Sequence, residues 1–166
     1  MNIYLLRHGP AGEASNEYPD DSQRPLTEDG KEKVQEIAKG MKHLGLTFDV
    51  VYTSPYKRTR QTAEIVCKVL KLKAPVQLKN LEPGVHAASL VGKIEAGDKG
   101  ENLLLVGHEP DLSRLITLFA TGLNGGVVHM RKGALALVSA GELKAGRCGT
   151  IEWLFDPDHL AGLSQK

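Results

Sequence analysis

Residues 1–10 read "MNIYLLRHGP". Ile3, Tyr4, Leu5 and Leu6 form a short, nearly continuous apolar run, the pattern of a strand covered on both faces. The run stops abruptly at Arg7, His8 and Gly9. A cation and an imidazole directly after a buried strand are either an exit into solvent or the rim of a site. The same pattern occurs twice more. "DVVYT" (49–53) runs into "SPYKRTRQTA" (54–63), and "NLLLV" (102–106) runs into "GHEP" (107–110).

Helical patterns separate these strands. Val34, Ile37, Ala38, Met41 and Leu44 recur at helical spacing after Glu28, with Thr27 as N-cap and Glu28 and Asp29 in the first turn. Ser54 as N-cap and Pro55 at the first helical position predict a second helix reaching Leu70. A shorter helix is expected over 87–95, and another from about Pro110, with Gly122 past its end. "PVQL" (75–78) reads as a further strand. "GALALVSA" (133–140) and "TIEWLF" (150–155) lie close together across a polar stretch, as in a hairpin or meander. Strands alternating with helices imply βαβ crossovers. The expected fold is therefore a three-layer α/β/α sandwich, its central sheet mostly parallel with an antiparallel portion.

A length of 166 residues fits one domain, 1–166, large enough to bury a core without staples. Lys and Arg number 21 against 20 Asp and Glu, a net charge of +1. No basic excess or basic run marks a nucleic-acid or anionic-membrane partner. Apolar runs such as "LLLVG" (103–107) are far short of a spanning helix, and the N-terminus lacks the order of a signal peptide. A cytoplasmic protein is expected, and the balanced composition leads us to expect a monomer. Cys67 and Cys148 have no neighbouring ligand residues and are expected to be reduced, packed thiols. No metal and no cofactor is expected.

In an open parallel sheet, ligands bind beyond the carboxyl ends of the strands. The three polar strand ends would then share one rim and bring His8, His108, Arg7 and one or both of Arg58 and Arg60 in "SPYKRTRQTA" to one spot. Arginine presents a planar fork of donors to a phosphate and stays charged. A helix N-terminus near Ser54 adds N–H groups and a positive dipole end. Glycine beside each histidine lets the backbone approach a ligand. A neutral histidine can attack phosphorus, and neighbouring arginine charge lowers its pKa. The set suits in-line phosphoryl transfer, with arginines in the place of a metal. Each stretch alone has a plainer reading: a chance tripeptide, a capped basic helix, a buried histidine before a turn. Their shared position at strand ends favours the site.

At these residues the sequence resembles the histidine phosphatase superfamily, with its phosphoglycerate mutase-like fold. "LLRHG" (5–9) is similar to its signature, "SPYKRTRQTA" to its second arginine motif and "VGHEP" (106–110) to its second histidine motif. The compact length and "RPLTEDGKEKVQEIAKGM" (24–41) resemble the SixA-type phosphohistidine phosphatases, and "IEWLFDP" (151–157) resembles the family's last strand. The resemblance implies that His8 is the nucleophile and becomes phosphorylated. It implies that Arg7 and Arg58 hold the phosphoryl oxygens and that His108 completes the pocket. Arg60 is then a solvated helix residue. Arg24 either lines the site or anchors its loop.

A general acid for ester leaving groups is not evident. Glu82 in "LEPGVH" (81–86) is the first candidate, with His86 and Glu95 behind it; otherwise Glu82 is a plain loop carboxylate. His43, His129 and His159 lack a partner motif and are expected to be structural or solvent-exposed. The polar segment 12–23 is long enough to overhang the pocket. The expected activity is a metal-independent phosphatase that removes phosphate from phosphohistidine in a signalling protein, such as a phosphotransfer domain. The alternatives are a small-molecule phosphomonoesterase acting on a small phosphate ester by the same chemistry, and a phosphate-binding module without turnover. A dinucleotide-binding fold is disfavoured, since no G-x-G-x-x-G follows the first strand.

Overall fold

A computed structural model describes residues 1–13, 17–97 and 100–164. Six strands form one sheet: β1 (Asn2–Arg7), β2 (Val50–Thr53), β3 (Val76–Gln77), β4 (Asn102–Gly107), β5 (Leu135–Ala140) and β6 (Gly149–Phe155). Their spatial order is β3-β2-β4-β1-β5-β6. The first four positions pair in parallel, whereas β5 runs antiparallel to β1 and to β6. The helices are α1 (Glu28–His43), α2 (Lys57–Leu70), α3 (Ala87–Glu95), α4 (Asp111–Thr121) and α5 (Pro157–Leu163). This is the mixed three-layer architecture expected from the strand and helix patterns.

Alternation along the central strands divides the core into two layers. Ile3, Leu5, Leu103 and Leu105 face one side and pack with Leu90 and Ile94 of α3 and Ile116 and Phe119 of α4. Tyr4, Leu6, Leu104 and Val106 face the other, against Val34, Ile37 and Met41 of α1, Val66 of α2 and Leu160 of α5. Period-two alternation with both faces apolar is why β1 and β4 read as continuous hydrophobic runs. The outermost strands differ: Val76 in β3 and Ile151 in β6 are exposed, as edge positions allow. Cys67 is buried and Cys148 partly so, both as free thiols. No helix among the described residues is long and apolar enough to cross a membrane.

Thr27 caps α1 through its side chain, and Gly122 ends α4 in the left-handed conformation, as expected. Two local features depart from the sequence reading. Helix α2 begins at Lys57 with Tyr56 as its N-cap residue, so Ser54 and Pro55 lie in the turn before it. Helix α5 follows "IEWLF" directly: the Asp156 side chain accepts from Asp158 N, and Pro157 opens the helix. Of the segment 12–23 that was expected to overhang the pocket, residues 14–16 lie outside the described residues.

Helix α5 has only seven residues, too few to persist without tertiary packing. Its hold on the molecule runs through Leu160, which is fully buried against α1. Leu160→Ala is expected to lower stability by about 2–5 kcal/mol, the range for deleting a buried leucine side chain. Urea unfolding monitored by circular dichroism measures this, and a midpoint equal to wild type would contradict the packing described.

Candidate active site

Strand register sets the site. In the parallel β1–β4 pair, Arg7 lies opposite Gly107, and His8 N donates to Gly107 O (3.1 Å). His8 and His108 therefore leave neighbouring strands at the same level. Their rings stand 5.4 Å apart, centroid to centroid. On the far side of β4, Thr53 of β2 pairs with Val106, which brings Ser54 beside His108. After β1 the chain turns to α1 on one face, and after β4 to α4 on the other. The two histidines thus sit at a switch point of the sheet, where ligands bind in open α/β folds.

His8 is buried. Its Nδ1 lies 2.8 Å from the carbonyl oxygen of Gly9. A carbonyl only accepts, so Nδ1 carries the proton and Nε2 keeps its lone pair. Burial pushes the ring's pKa down to about 3, the Gly9 hydrogen bond opposes this, and the charges of Arg58, Arg7 and Lys132 add to the depression. Desolvation, more than the arginines, keeps this imidazole neutral. Gly9 is required by helix packing as well: a Cβ there would lie 2.3 Å from Val34 Cγ2 of α1. Gly107 likewise makes room for Leu112 of α4.

His108 is also buried, and its pKa falls to about 3, chiefly through burial and then through His8 and Arg58. Its Nε2 lies 2.9 Å from Ser54 Oγ. The serine expected to cap a helix thus fixes an imidazole. Tyr56 stands edge-on to the His108 ring (5.0 Å between centroids) and lies beneath the Arg58 guanidinium, 5.0 Å from Cζ to ring centroid. Neither contact was legible in the motif, because a Ser-Pro-Tyr turn before a helix has an ordinary capping interpretation.

Arg58, on the first turn of α2, is almost fully buried. It donates through Nη1 to the Asp21 carbonyl oxygen (2.8 Å) and through Nη2 to Asp21 Oδ2 (2.9 Å). Arg7 donates through Nη1 to the Met130 carbonyl oxygen (2.7 Å). The buried Arg7 Nε, Arg58 Nε and His108 Nδ1 have no hydrogen-bond partner among the described residues. A buried donor left unpaired costs about 1–3 kcal/mol. A cluster of such groups beside a neutral imidazole suits a bound oxyanion.

Arg24 anchors its loop: Nη1 donates to the Gly12 carbonyl oxygen (2.5 Å) and Nε to Asp21 Oδ1 (2.8 Å). Asp21 consequently ties Arg24 and Arg58 together, a link between distant segments with no local sequence signal. Arg60 is half-buried rather than solvated, and its buried Nε also lacks a partner among the described residues. Glu82 is partly buried and lines a cleft of about 170 Å³ together with His108, His86, Asp111 and Leu115. Glu95 is exposed and does not border it. His43, His129 and His159 are exposed. Among the described residues, no group of three or more His, Cys, Asp or Glu is placed to hold a metal ion.

Both buried histidines titrate below the ordinary value of about 6.5. The unfolded chain therefore binds more protons than the folded one between about pH 6.5 and pH 3. Their contribution to stability is complete above about pH 6.5 and is lost as the pH falls towards 3. Nitrogen-15 NMR should find His8 neutral with a protonated Nδ1 from pH 5 to pH 8. A His8 midpoint near 6.5 would contradict the burial and the hydrogen bond described.

Residues 3–82 match the family model of the histidine phosphatase superfamily (branch 1). The chain is 32% identical over 143 residues to an uncharacterized protein of Picosynechococcus sp., covering 85% of this chain and 86% of that protein. It is 28% identical over 165 residues to the phosphohistidine phosphatase SixA of Escherichia coli, covering 96% of each. In three dimensions it is similar to the protein histidine phosphatase SixA complexed with tungstate. The TM-score is 0.81 at 26% identity, with 96% of this chain and 99% of that one covered. A SixA-like fold over nearly its whole length, with the family's sequence pattern running through the first histidine and second arginine motifs, shows that the chain belongs to the histidine phosphatase superfamily.

Proposed function

We propose that this chain is a phosphohistidine phosphatase that uses His8 as nucleophile. One observation carries the reading: His8 Nδ1 is committed to the Gly9 carbonyl oxygen, so a neutral Nε2 is free for attack. Attack of Nε2 on phosphorus forms the P–N bond as the bond to the leaving group breaks, giving a phosphohistidine. For a phosphohistidine substrate protonated on its other ring nitrogen, the electrons of the broken P–N bond return to the ring and neutral imidazole departs, a better leaving group than an alkoxide and one that needs no general acid. Water then attacks phosphorus and the P–Nε2 bond breaks; both protons of the water leave with the phosphate as H2PO4−, and His8 returns to its neutral form with the proton still on Nδ1.

Arg7 and Arg58 meet the spreading charge on the phosphoryl oxygens. Asp21 holds both Nη atoms of Arg58, which turns the guanidinium so that its Nε is left for the substrate. In the tautomer in which Nε2 of His108 accepts from Ser54 Oγ, the proton sits on Nδ1, a further donor for the transition state. The similarity to SixA, which extends over nearly the full length, favours phosphohistidine in a protein as the substrate.

Glu82 supports a second reading. It borders the same cleft as His108, where a carboxyl group can protonate an alkoxide leaving group. On that reading the substrate is a small phosphate ester and the nucleophile is unchanged.

Hydrolysis of a phosphohistidine protein and of an aryl phosphate, both with EDTA present, tests the proposal. Turnover of the phosphohistidine protein that EDTA does not affect and that His8→Ala abolishes is expected. Arg58→Ala should lower kcat/KM by about 10²–10³, the usual loss on removing one preorganised donor. Turnover confined to esters and dependent on Glu82 would replace phosphohistidine by a small phosphate ester. Undiminished turnover by His8→Ala would sink the mechanism.

A further inference from the structure

Arg7 also borders a shallow cavity of about 340 Å³ walled by Lys33, His129, Arg131, Lys132 and Asp158. This cavity shares no wall residue with the cleft beside His108 and Glu82. Its walls carry four cationic side chains, Arg7, Lys33, Arg131 and Lys132, against the single carboxylate of Asp158. The whole chain has a net charge of only +1, so the excess is local.

Two of those cations are structural. Lys33 Nζ pairs with Asp158 Oδ1 (2.7 Å), and Arg131 Nη1 pairs with Asp156 (2.9 Å) and with Asp158 Oδ2 (3.1 Å). These ion pairs fix the start of α5 as one wall. Lys132 and His129 are exposed and have no ion-pair partner among the described residues. Lys132 is nevertheless held close to the reacting side chain. The next residue, Gly133, donates its N–H to the carbonyl oxygens of both Arg7 and His8 (3.1 Å each), and the Lys132 charge is felt at the His8 ring.

We propose that this cavity takes a second anionic group, a carboxylate, carried by the substrate next to its phosphoryl group, with Lys132 as the residue that selects it. The proposal deepens the phosphatase reading and rests on it for the place of the phosphoryl group, with Arg7 as the shared wall. The carboxylate belongs either to an acidic side chain flanking a phosphohistidine or to a small phosphorylated acid. Lys132 is exposed, so the selection is modest: about two- to fivefold, the range of an exposed ion pair, and weaker at high salt.

Calorimetric binding of benzylphosphonate and 4-carboxybenzylphosphonate separates this inference from turnover, since neither is hydrolysed. Wild type should bind the carboxylated compound about two- to fivefold more tightly. The preference should vanish in Lys132→Gln, reverse in Lys132→Glu, and persist in Lys144→Gln, a change of an exposed lysine between β5 and β6 at the opposite end of the sheet. Hydrolysis of two phosphohistidine peptides, flanked by Asp or by Asn, then identifies the source. A Lys132-dependent preference for the Asp peptide indicates an acidic protein segment; a preference limited to the phosphonates indicates a small acid. Equal binding of both phosphonates by wild type, or a preference that survives in Lys132→Gln, would overturn the proposal. Selective binding without turnover would count against the phosphatase reading and leave the cavity's role standing.

Discussion

The pairing of β1 with β4, in parallel and in register, is the constraint on which the rest depends. Parallel neighbours put two chain exits on the same rim, and the Arg7–Gly107 register puts His8 and His108 at the same height. Because α1 and α4 leave to opposite faces, the rim between the two strands stays open. A slip of one residue would turn each side chain of β1 to the other face of the sheet. That slip is blocked by the core itself, since Ile3 and Leu5 serve one layer and Tyr4 and Leu6 the other. Packing on both faces therefore sets the separation of the two imidazoles.

Burying two imidazoles and a guanidinium in one small volume is costly unless their protons and charges are accounted for. The histidines stay neutral, and each has one nitrogen held: Nδ1 of His8 by Gly9, Nε2 of His108 by Ser54. Arg58 keeps its charge beside the partly exposed Asp21 carboxylate and over the Tyr56 ring. The buried side-chain polar atoms left without a hydrogen-bond partner among the described residues are Arg7 Nε, Arg58 Nε, Arg60 Nε and His108 Nδ1. On the proposed function, the partners that restrain these side chains also select which atoms remain for chemistry, a form of preorganisation.

Much of this was legible in the amino-acid order. The strands β1, β2 and β4 showed as apolar runs ending in polar clusters, and His8, His108, Arg7 and the pair Arg58 and Arg60 showed as the clusters themselves, with the choice of Arg58 supplied by the family resemblance. The cap at Thr27 and the end of α4 at Gly122 followed from single residues with strong local preferences. What escaped was of two kinds. Some signals were ambiguous: Ser54-Pro55 reads as a helix start but serves His108, and Asp156-Pro157 is a true helix start hidden at the end of a strand pattern. Others were long-range. The Asp21–Arg58 and Lys33–Asp158 pairs join segments whose proximity exists only after folding. The packing of Gly9 against Val34 of α1, where a Cβ would clash, was likewise not visible in the local sequence.

The central claim is that His8 carries the phosphoryl group between the two steps. Rapid quenching into alkali, where phosphohistidine survives, followed by peptide mass spectrometry during turnover tests it directly. The account predicts one acid-labile phosphoryl group on His8, linked through Nε2 and absent from His8→Ala. A phosphoryl group on another residue, or turnover without any phosphorylated His8, would contradict it.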